Sequence, residues 1–186
     1  MMRLIFIAAP VLICMGIYSL YLNAFSSEKP TTVSLSNLIR KTPLNRNLEI
    51  VGAYVKASDI GEYRKTKRGQ IVESYYIIPL RETERDISAI PPRVVVKLTD
   101  KQMKDVKAID SIFASSIQGL RVTQFEISGK VKEYLAEKYG KEASKNIQVI
   151  DYLRKPEGIL IGIIQLLFGA ILAAIWYFVV SRCPGQ

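Results

Sequence analysis

The chain has 186 residues, of which 49% are hydrophobic, and its 26 Lys and Arg residues against 17 Asp and Glu residues give a net charge of +9. It contains no histidine, and its two cysteines, Cys14 and Cys183, lie outside the polar middle of the chain. That middle therefore lacks the side chains of histidine acid–base catalysis, cysteine nucleophiles, disulfides and the usual zinc sites. We expect a protein that is not an enzyme and holds no metal or cofactor. Catalysis by Lys, Tyr, Ser or carboxylate groups is the remaining enzymatic alternative.

The first 25 residues carry one cation, Arg3, followed by an uncharged apolar run. This run is long enough to cross a bilayer and exceeds the core of a usual signal peptide, which has about 7–15 residues. We therefore predict an uncleaved transmembrane helix at 1–25. The alternative is a secretory signal peptide, because residues 24–26 read Ala-Phe-Ser, a small-x-small cleavage pattern.

The middle segment, 26–157, holds every acidic residue and all but two of the cations, so it carries +7. Runs rich in β-branched and aromatic residues predict strands, and apolar residues three or four apart predict helices. The predicted strands are 48–56, 71–80, 93–98, 121–131 and 147–153, and the predicted helices are 33–42, 100–110 and 131–140. The first two strands are expected to form one long hairpin. A capping box of Thr99 and Gln102 is expected to begin the second helix.

Residues 158–180 contain no charged residue and span about 34 Å as a helix, slightly more than the hydrocarbon core of a bilayer. They predict a second transmembrane helix. The chain then divides into a transmembrane helix (1–25), a basic domain (26–157), a second transmembrane helix (158–181) and a short tail (182–186). The predicted fold class is α+β, with two transmembrane helices flanking a small β-rich domain. Its strand number and glycine bends suit a partly open barrel of the oligonucleotide/oligosaccharide-binding (OB) type.

Arg3 and Arg182 are the only charged residues in the two terminal segments, and positive flanks favour the cytoplasmic side of a membrane. We predict that both termini are cytoplasmic and that the domain lies outside the cytoplasm. The alternative, with the domain inside, is favoured by the positive charge of the domain.

Small and polar residues recur on one face of each predicted membrane helix. On the second helix they are Gly158, Gly162, Gln165 and Gly169, and on the first they are Gly16, Ser19 and Asn23. An antiparallel arrangement places 23 opposite 158, 19 opposite 162 and 16 opposite 165, and small residues let helix backbones approach closely. This predicts a hairpin within one chain. The alternative turns the Gly158/Gly162 face toward another membrane protein or a second copy of the chain.

Four cations are concentrated at the turn between the first two predicted strands, namely Arg64, Lys65, Lys67 and Arg68. Such a group can contact anionic lipid headgroups or an acidic partner surface, and it is also typical of a solvated loop. It lacks the interleaved aromatic residues of a single-strand-binding surface, so we expect no nucleic-acid partner.

The chain contains five segments in this order: "TTVSLSNLI", "YYIIPL", "RVVVKLT", "GKV" to "EYL", and "VIDYLRKP" before the last helix. In this order they resemble the segments of a poorly characterised group of bacterial two-span membrane proteins. The resemblance covers nearly the whole chain and implies a plasma (inner) membrane location, but no activity and no site residues. Because the domain is tethered to the membrane at both ends, the chain is expected to be an accessory subunit that contacts membrane lipid and a membrane-protein partner. A membrane-anchored module for anionic lipid or polymer is the alternative.

Overall fold

The computed structural model describes residues 2–67, 70–83, 90–105 and 116–182. Within these ranges the α-helices are α1 Met2–Ala24, α2 Leu35–Arg40, α3 Asp100–Asp105, α4 Gly129–Tyr139, α5 Lys141–Lys145 and α6 Ile159–Arg182. The strands are β1 Thr31–Ser34, β2 Asn47–Val51, β3 Gly61–Lys67, β4 Gln70–Leu80, β5 Val94–Thr99, β6 Ile117–Val122 and β7 Gln148–Tyr152. The chain forms two compact units, one of Met1–Ser27 with Pro156–Gln186 and one of Glu28–Lys155.

The first unit consists of α1 and α6, which pack against each other. Both contain a segment long and apolar enough to cross a membrane, Ile7–Ala24 in α1 and Ile159–Val180 in α6. Their large apolar side chains are mostly exposed on the outside of the pair, among them Ile17, Leu160 and Phe168. This distribution is the one expected where lipid surrounds the helices, and it agrees with the two predicted spans.

The second unit is built on one seven-stranded mixed sheet with the order β1-β2-β6-β7-β5-β4-β3. The β1–β2 and β5–β7 pairs are parallel, and the other four pairs are antiparallel. Because β1 and β3 are both edges, the sheet is not closed. The predicted α+β class is confirmed, whereas the expected OB-like or partly open barrel is not supported.

The predicted hairpin of 48–56 with 71–80 is wrong. The strands β2 and β4 lie in different parts of the sheet, separated by β6, β7 and β5. The antiparallel partner of β4 is β3, which occupies a segment that reads as a polar turn. Its sequence, GEYRKTK, is charged because an edge strand is solvated along one side and tolerates Lys and Arg there.

Side chains from alternate strand positions build a core on each face of the sheet. One core centres on Leu48, Ile78 and Val96 and is covered by Leu35 and Leu38 of α2, with Met103 of α3 at its margin. The other is made of Ile77, Val95, Val122, Ile127, Val131, Leu135, Ile147 and Val149. The helix α4 covers this second core through Val131 and Leu135.

Local signals fix the ends of the short helices. Ser34 caps α2 and Ser128 caps α4, each accepting a hydrogen bond from the backbone N–H three residues on. The Thr99–Gln102 capping box is confirmed: Gln102 Oε1 accepts from Thr99 N at 2.8 Å, and Thr99 Oγ1 accepts from Gln102 N at 3.3 Å. The rest of the helix predicted at 100–110 lies outside the described residues beyond Asp105.

Candidate functional site

The two connections between the sheet and the terminal helices meet at a set of polar residues that we call the linker clamp. It consists of Asn45, Arg46, Asn47, Glu126, Asp151 and Arg154. The incoming connection runs from the end of α1 to the start of β1, and the outgoing connection runs from the end of β7 to the start of α6. Each contains six residues, 25–30 and 153–158.

Two asparagines hold the incoming connection. Asn47 Nδ2 donates to the carbonyl oxygen of Glu28 at 2.9 Å, and Asn45 Nδ2 donates to the carbonyl oxygen of Lys29 at 3.2 Å. Asn45 Nδ2 also donates to Thr31 Oγ1 at 2.8 Å, while its Oδ1 accepts from Asn47 N at 3.1 Å. Both the nitrogen and the oxygen of the Asn45 side-chain amide form hydrogen bonds, so its orientation is fixed. These bonds tie the backbone before β1 to the start of β2.

Arg154 holds the outgoing connection. Its Nη1 lies 3.2 Å from Asp151 Oδ2, and its Nη2 lies 3.3 Å from Glu126 Oε1. The residue before it, Leu153, has a positive φ of 53° and donates its N–H to the carbonyl oxygen of Gln118 at 3.0 Å. A non-glycine residue in this conformation is uncommon, so the chain is turned sharply as it leaves the sheet.

Glu126 joins the two halves of the clamp. Its Oε2 forms an ion pair with Arg46 Nη2 and accepts a hydrogen bond from Thr123 N at 2.8 Å. Arg46 Nε in turn donates to the carbonyl oxygen of Arg121 at 3.0 Å. The Arg46 and Glu126 side chains are only 6% and 12% exposed. A buried pair of this kind is costly to break, because removing one partner leaves an uncompensated charge.

The charge around the clamp has a positive surplus. Asp151 Oδ1 lies 2.8 Å from Lys97 Nζ, which also stands 5.4 Å from the centre of the Tyr75 ring. Burial, and after it the charge of Arg46, lowers the pKa of Arg121 from its ordinary value. The carboxylates of Glu126 and Asp151 are thus outnumbered by four cations, those of Arg46, Lys97, Arg121 and Arg154.

The register of the sheet places the two connections at the same end of the sheet. Thr31, Leu48, Gly119 and Tyr152 pair in one row across β1, β2, β6 and β7. The first residue of β1 and the last residue of β7 therefore lie in the same row. A Cβ at Gly119 would come within 2.6 Å of the Asp151 carbonyl oxygen and 2.7 Å of Ile150 Cγ2, so glycine is needed where β7 passes.

Three of the glycines predicted to pack the membrane helices lie at the contact between α1 and α6. A Cβ at Gly16 would come within 2.9 Å of the Gly162 carbonyl oxygen and 2.7 Å of Leu166 Cγ. A Cβ at Gly162 would meet Leu20 Cδ2 at 2.9 Å, and one at Gly169 would meet Ile13 Cγ1 at 2.7 Å. The approach at each glycine is too close for a larger residue without movement of its neighbours.

The other predicted helix-packing residues are placed differently. Asn23 Nδ2 donates to the carbonyl oxygen of Ser19 within α1 at 3.0 Å. Ser19 Oγ and Gln165 Oε1 are buried and have no hydrogen-bond partner within the described part of the chain. A Cβ at Gly158 would meet nothing within 4 Å. The observed pairs are shifted by one residue from the expected ones. Gly16 lies against Leu166 and not Gln165, and Gly162 lies against Leu20 and not Ser19.

Three of the four cations predicted at the turn lie in the last residues of β3. Arg64 and Glu62 form a two-bond ion pair, with Nε to Oε1 at 2.6 Å and Nη2 to Oε2 at 2.9 Å. This pair raises the pKa of Arg64 and lowers the pKa of Glu62. Lys65 and Lys67 belong to β3, and Arg68 lies outside the described residues. One of the four cations is thus already paired within the chain.

The residues of the linker clamp are scattered along the sequence. The only local signal for it is the polar triplet Asn45-Arg46-Asn47, which stands immediately before an apolar strand. In ranges 2–67, 70–83, 90–105 and 116–182, no group of three or more His, Cys, Asp or Glu side chains is arranged to hold a metal ion. Comparisons with protein-family models, with curated proteins and with solved structures find no match for this chain, so no relative's function bears on the clamp.

Proposed function

We propose that this chain is a non-enzymatic accessory subunit of a membrane complex. The helices α1 and α6 anchor it in lipid, and the Glu28–Lys155 unit docks a membrane-protein partner. The single observation that supports the proposal is the linker clamp. The short segment Asn45–Asn47 is bonded directly to the incoming connection and, through Glu126, to Arg154 of the outgoing connection.

The clamp shortens the free part of each connection. Glu28 and Lys29 are bonded on the incoming side, and Leu153 and Arg154 on the outgoing side. A fully extended residue spans at most about 3.6 Å, so the few remaining residues allow little slack. A domain with two short tethers suits a fixed docking surface better than a binder that must reach over a long distance.

We place the termini of this subunit in the cytoplasm and its sheet outside, in the plasma membrane of a bacterium. The support is the pair of flanking cations, Arg3 and Arg182. A Thr66→Cys chain in a background without Cys14 and Cys183 tests the topology. A membrane-impermeant maleimide should label it in intact cells. Labelling only after the cells are opened would reverse the orientation.

Purification of the full chain from its native membrane in mild detergent tests the docking role. We expect a second polypeptide in a fixed molar ratio. Glu126→Gln breaks the clamp and should lower the yield of that polypeptide, while Glu133→Gln, which removes an exposed partner of Lys130, should not. Recovery of the wild-type chain alone would contradict the proposal.

The alternative, a module for anionic lipid or polymer that uses the β3–β4 turn, predicts a different result. The wild-type chain would then be recovered alone and would bind anionic vesicles through Lys65, Lys67 and Arg68. The pairing of Arg64 with Glu62 reduces the charge available for such contacts. We therefore favour the docking role.

A further inference from the structure

A cavity of about 240 Å³ lies between α4, α5 and the turn that precedes α4. Its walls are formed by Gln124, Ile127, Lys132, Leu135, Ala136, Lys141, Ser144 and Lys145. This volume is somewhat below the roughly 300 Å³ at which pockets for drug-sized ligands begin. The cavity therefore suits a small group or the head of a larger molecule.

Three of the lining residues are lysines, and none is acidic. Lys145 Nζ lies 2.7 Å from Glu142 Oε1 in a pair that is largely exposed on both sides. Lys132 and Lys141 make no ion pair within the described part of the chain. After the Lys145–Glu142 pair is counted as neutral, two positive charges remain at the rim.

The cavity has a defined floor and fixed walls. Ile127 and Leu135, which form the floor, are 7% and 2% exposed because they also belong to the core beneath α4. Gln124 Nε2 donates to the carbonyl oxygen of Lys145 at 3.3 Å, and Ser144 Oγ donates to the carbonyl oxygen of Lys141 at 2.9 Å. These bonds hold α5 and the turn before α4 in place around an apolar base.

We propose that this cavity binds the phosphate group of a small phosphate ester, with the carbon skeleton of the ester against Ile127 and Leu135. Lysine ammonium groups bind phosphate as point charges, and three lysines line the cavity. Glycerol 3-phosphate and the headgroup of phosphatidylglycerol both carry this chemistry. The site goes beyond the docking role proposed above and does not depend on it.

Lysine acylation read by mass spectrometry tests the site in the full chain, reconstituted in phosphatidylcholine nanodiscs. Glycerol 3-phosphate should slow the acylation of Lys132, Lys141 and Lys145 but not that of Lys29 or Lys101. Nanodiscs that contain phosphatidylglycerol should protect the same three lysines without added ligand if the source is a lipid headgroup. Protection only by the soluble ester would identify a soluble ligand for the same cavity.

Two variants distinguish specific binding in the cavity from a nonspecific attraction of phosphate to the positively charged surface. Ala136→Leu fills the cavity without changing the charge and should abolish protection. Replacing Lys132, Lys141 and Lys145 with Gln should weaken glycerol 3-phosphate binding, measured by titration calorimetry, by about 25-fold, from about fivefold for each of the two positive charges that Glu142 leaves unpaired. The matched control replaces Lys29, Lys101 and Lys130 with Gln and should leave the affinity within about twofold.

Equal slowing of acylation at all lysines, or protection that survives Ala136→Leu in a chain with unchanged thermal unfolding, would overturn the proposal. If Ala136→Leu lowers the unfolding temperature, the comparison of the two triple variants decides instead. Equal loss of affinity in both would then overturn it.

Discussion

Arg46 and Arg154 contact different oxygens of the same carboxylate, that of Glu126, although one precedes β2 and the other follows β7. The carboxylate thus ties the segment that holds the incoming connection to the second residue of the outgoing one. It is also oriented by the backbone N–H of Thr123, so its position does not depend on the two arginines alone.

The first prediction concerns this carboxylate. Glu126→Gln should lower the free energy of unfolding by about 3–5 kcal/mol, because Arg46 remains buried without a counter-charge. Thermal unfolding of the full chain in detergent measures the loss. Glu133→Gln is the matched control: its pair with Lys130 is 3.5 Å long and exposed, so its loss should cost less than about 1 kcal/mol. Equal stability of the two variants would show that the clamp does not stabilise the domain.

The second prediction concerns the close approach of α1 and α6. Gly16→Val and Gly162→Val should each destabilise the helix pair by about 1–3 kcal/mol, because a Cβ at either position overlaps the other helix. Gly158→Val is the control, since a Cβ there meets nothing within 4 Å. Helix separation can be followed by energy transfer between dyes at the two termini. An effect of Gly158→Val as large as that of Gly162→Val would argue for a different helix contact.

A third prediction distinguishes a hairpin within one chain from self-association. A Gly16→Cys, Leu166→Cys chain, without the native cysteines, should form a disulfide within one molecule, because the Gly16 Cβ position lies 2.7 Å from Leu166 Cγ. Non-reducing gels of membranes that contain tagged and untagged chains give the result. Crosslinked dimers without an intramolecular product would favour a contact between two copies through the glycine face.

The fourth prediction is a pH dependence at the β1 edge of the sheet. Hydrogen bonds from Ser116 and then from Thr32 lower the pKa of Glu49 below its ordinary value of 4.5. A lowered folded-state pKa stabilises the fold above the unfolded pKa, and this contribution is lost as the pH falls through the folded pKa. Glu49→Gln should therefore flatten the decline in stability below about pH 4.5, as measured by denaturant unfolding. Ser116→Ala should flatten it in part, and an unchanged slope in both variants would refute the assignment.

The fifth prediction concerns Gly61 at the start of β3. A Cβ there would overlap Tyr134 Oη, and Lys138 Nζ, which bonds that oxygen at 3.1 Å, also donates to the Asp59 carbonyl oxygen at 2.9 Å. Gly61→Ala should cost about 1–3 kcal/mol by displacing Tyr134. The same change in a Tyr134→Ala chain should cost much less, because the overlapping atoms are gone. An equal loss of unfolding free energy in both backgrounds would mean that Tyr134 does not limit the size of the residue at position 61.

Signals that act over a few residues were sufficient to predict several elements. The capping box at Thr99 and Gln102 begins α3, and Gly140, with a φ of 86°, ends α4. The two apolar helices follow from length and composition alone. The strand predicted at 121–131 is displaced, because β6 ends at Val122 and the chain then turns where Glu126 accepts from Thr123 N.

Features that depend on partners far along the chain were not predicted. The edge strands β1 and β3 are short or charged, so their sequences resemble linkers, and only pairing with β2 and β4 makes them strands. The linker clamp joins Arg46 to Glu126, which lies 80 residues away in the sequence. No periodicity or spacing reports such a contact.

The position of β7 has a consequence for how the protein is made. This strand is the last of the seven in the sequence, yet it lies in the interior of the sheet between β6 and β5. Both of these neighbours therefore keep an open hydrogen-bonding edge until the ribosome has released Tyr152. Because a chain emerges in order from its amino end, α6 follows after all seven of these strands. The sheet can therefore close only just before the second long apolar helix emerges.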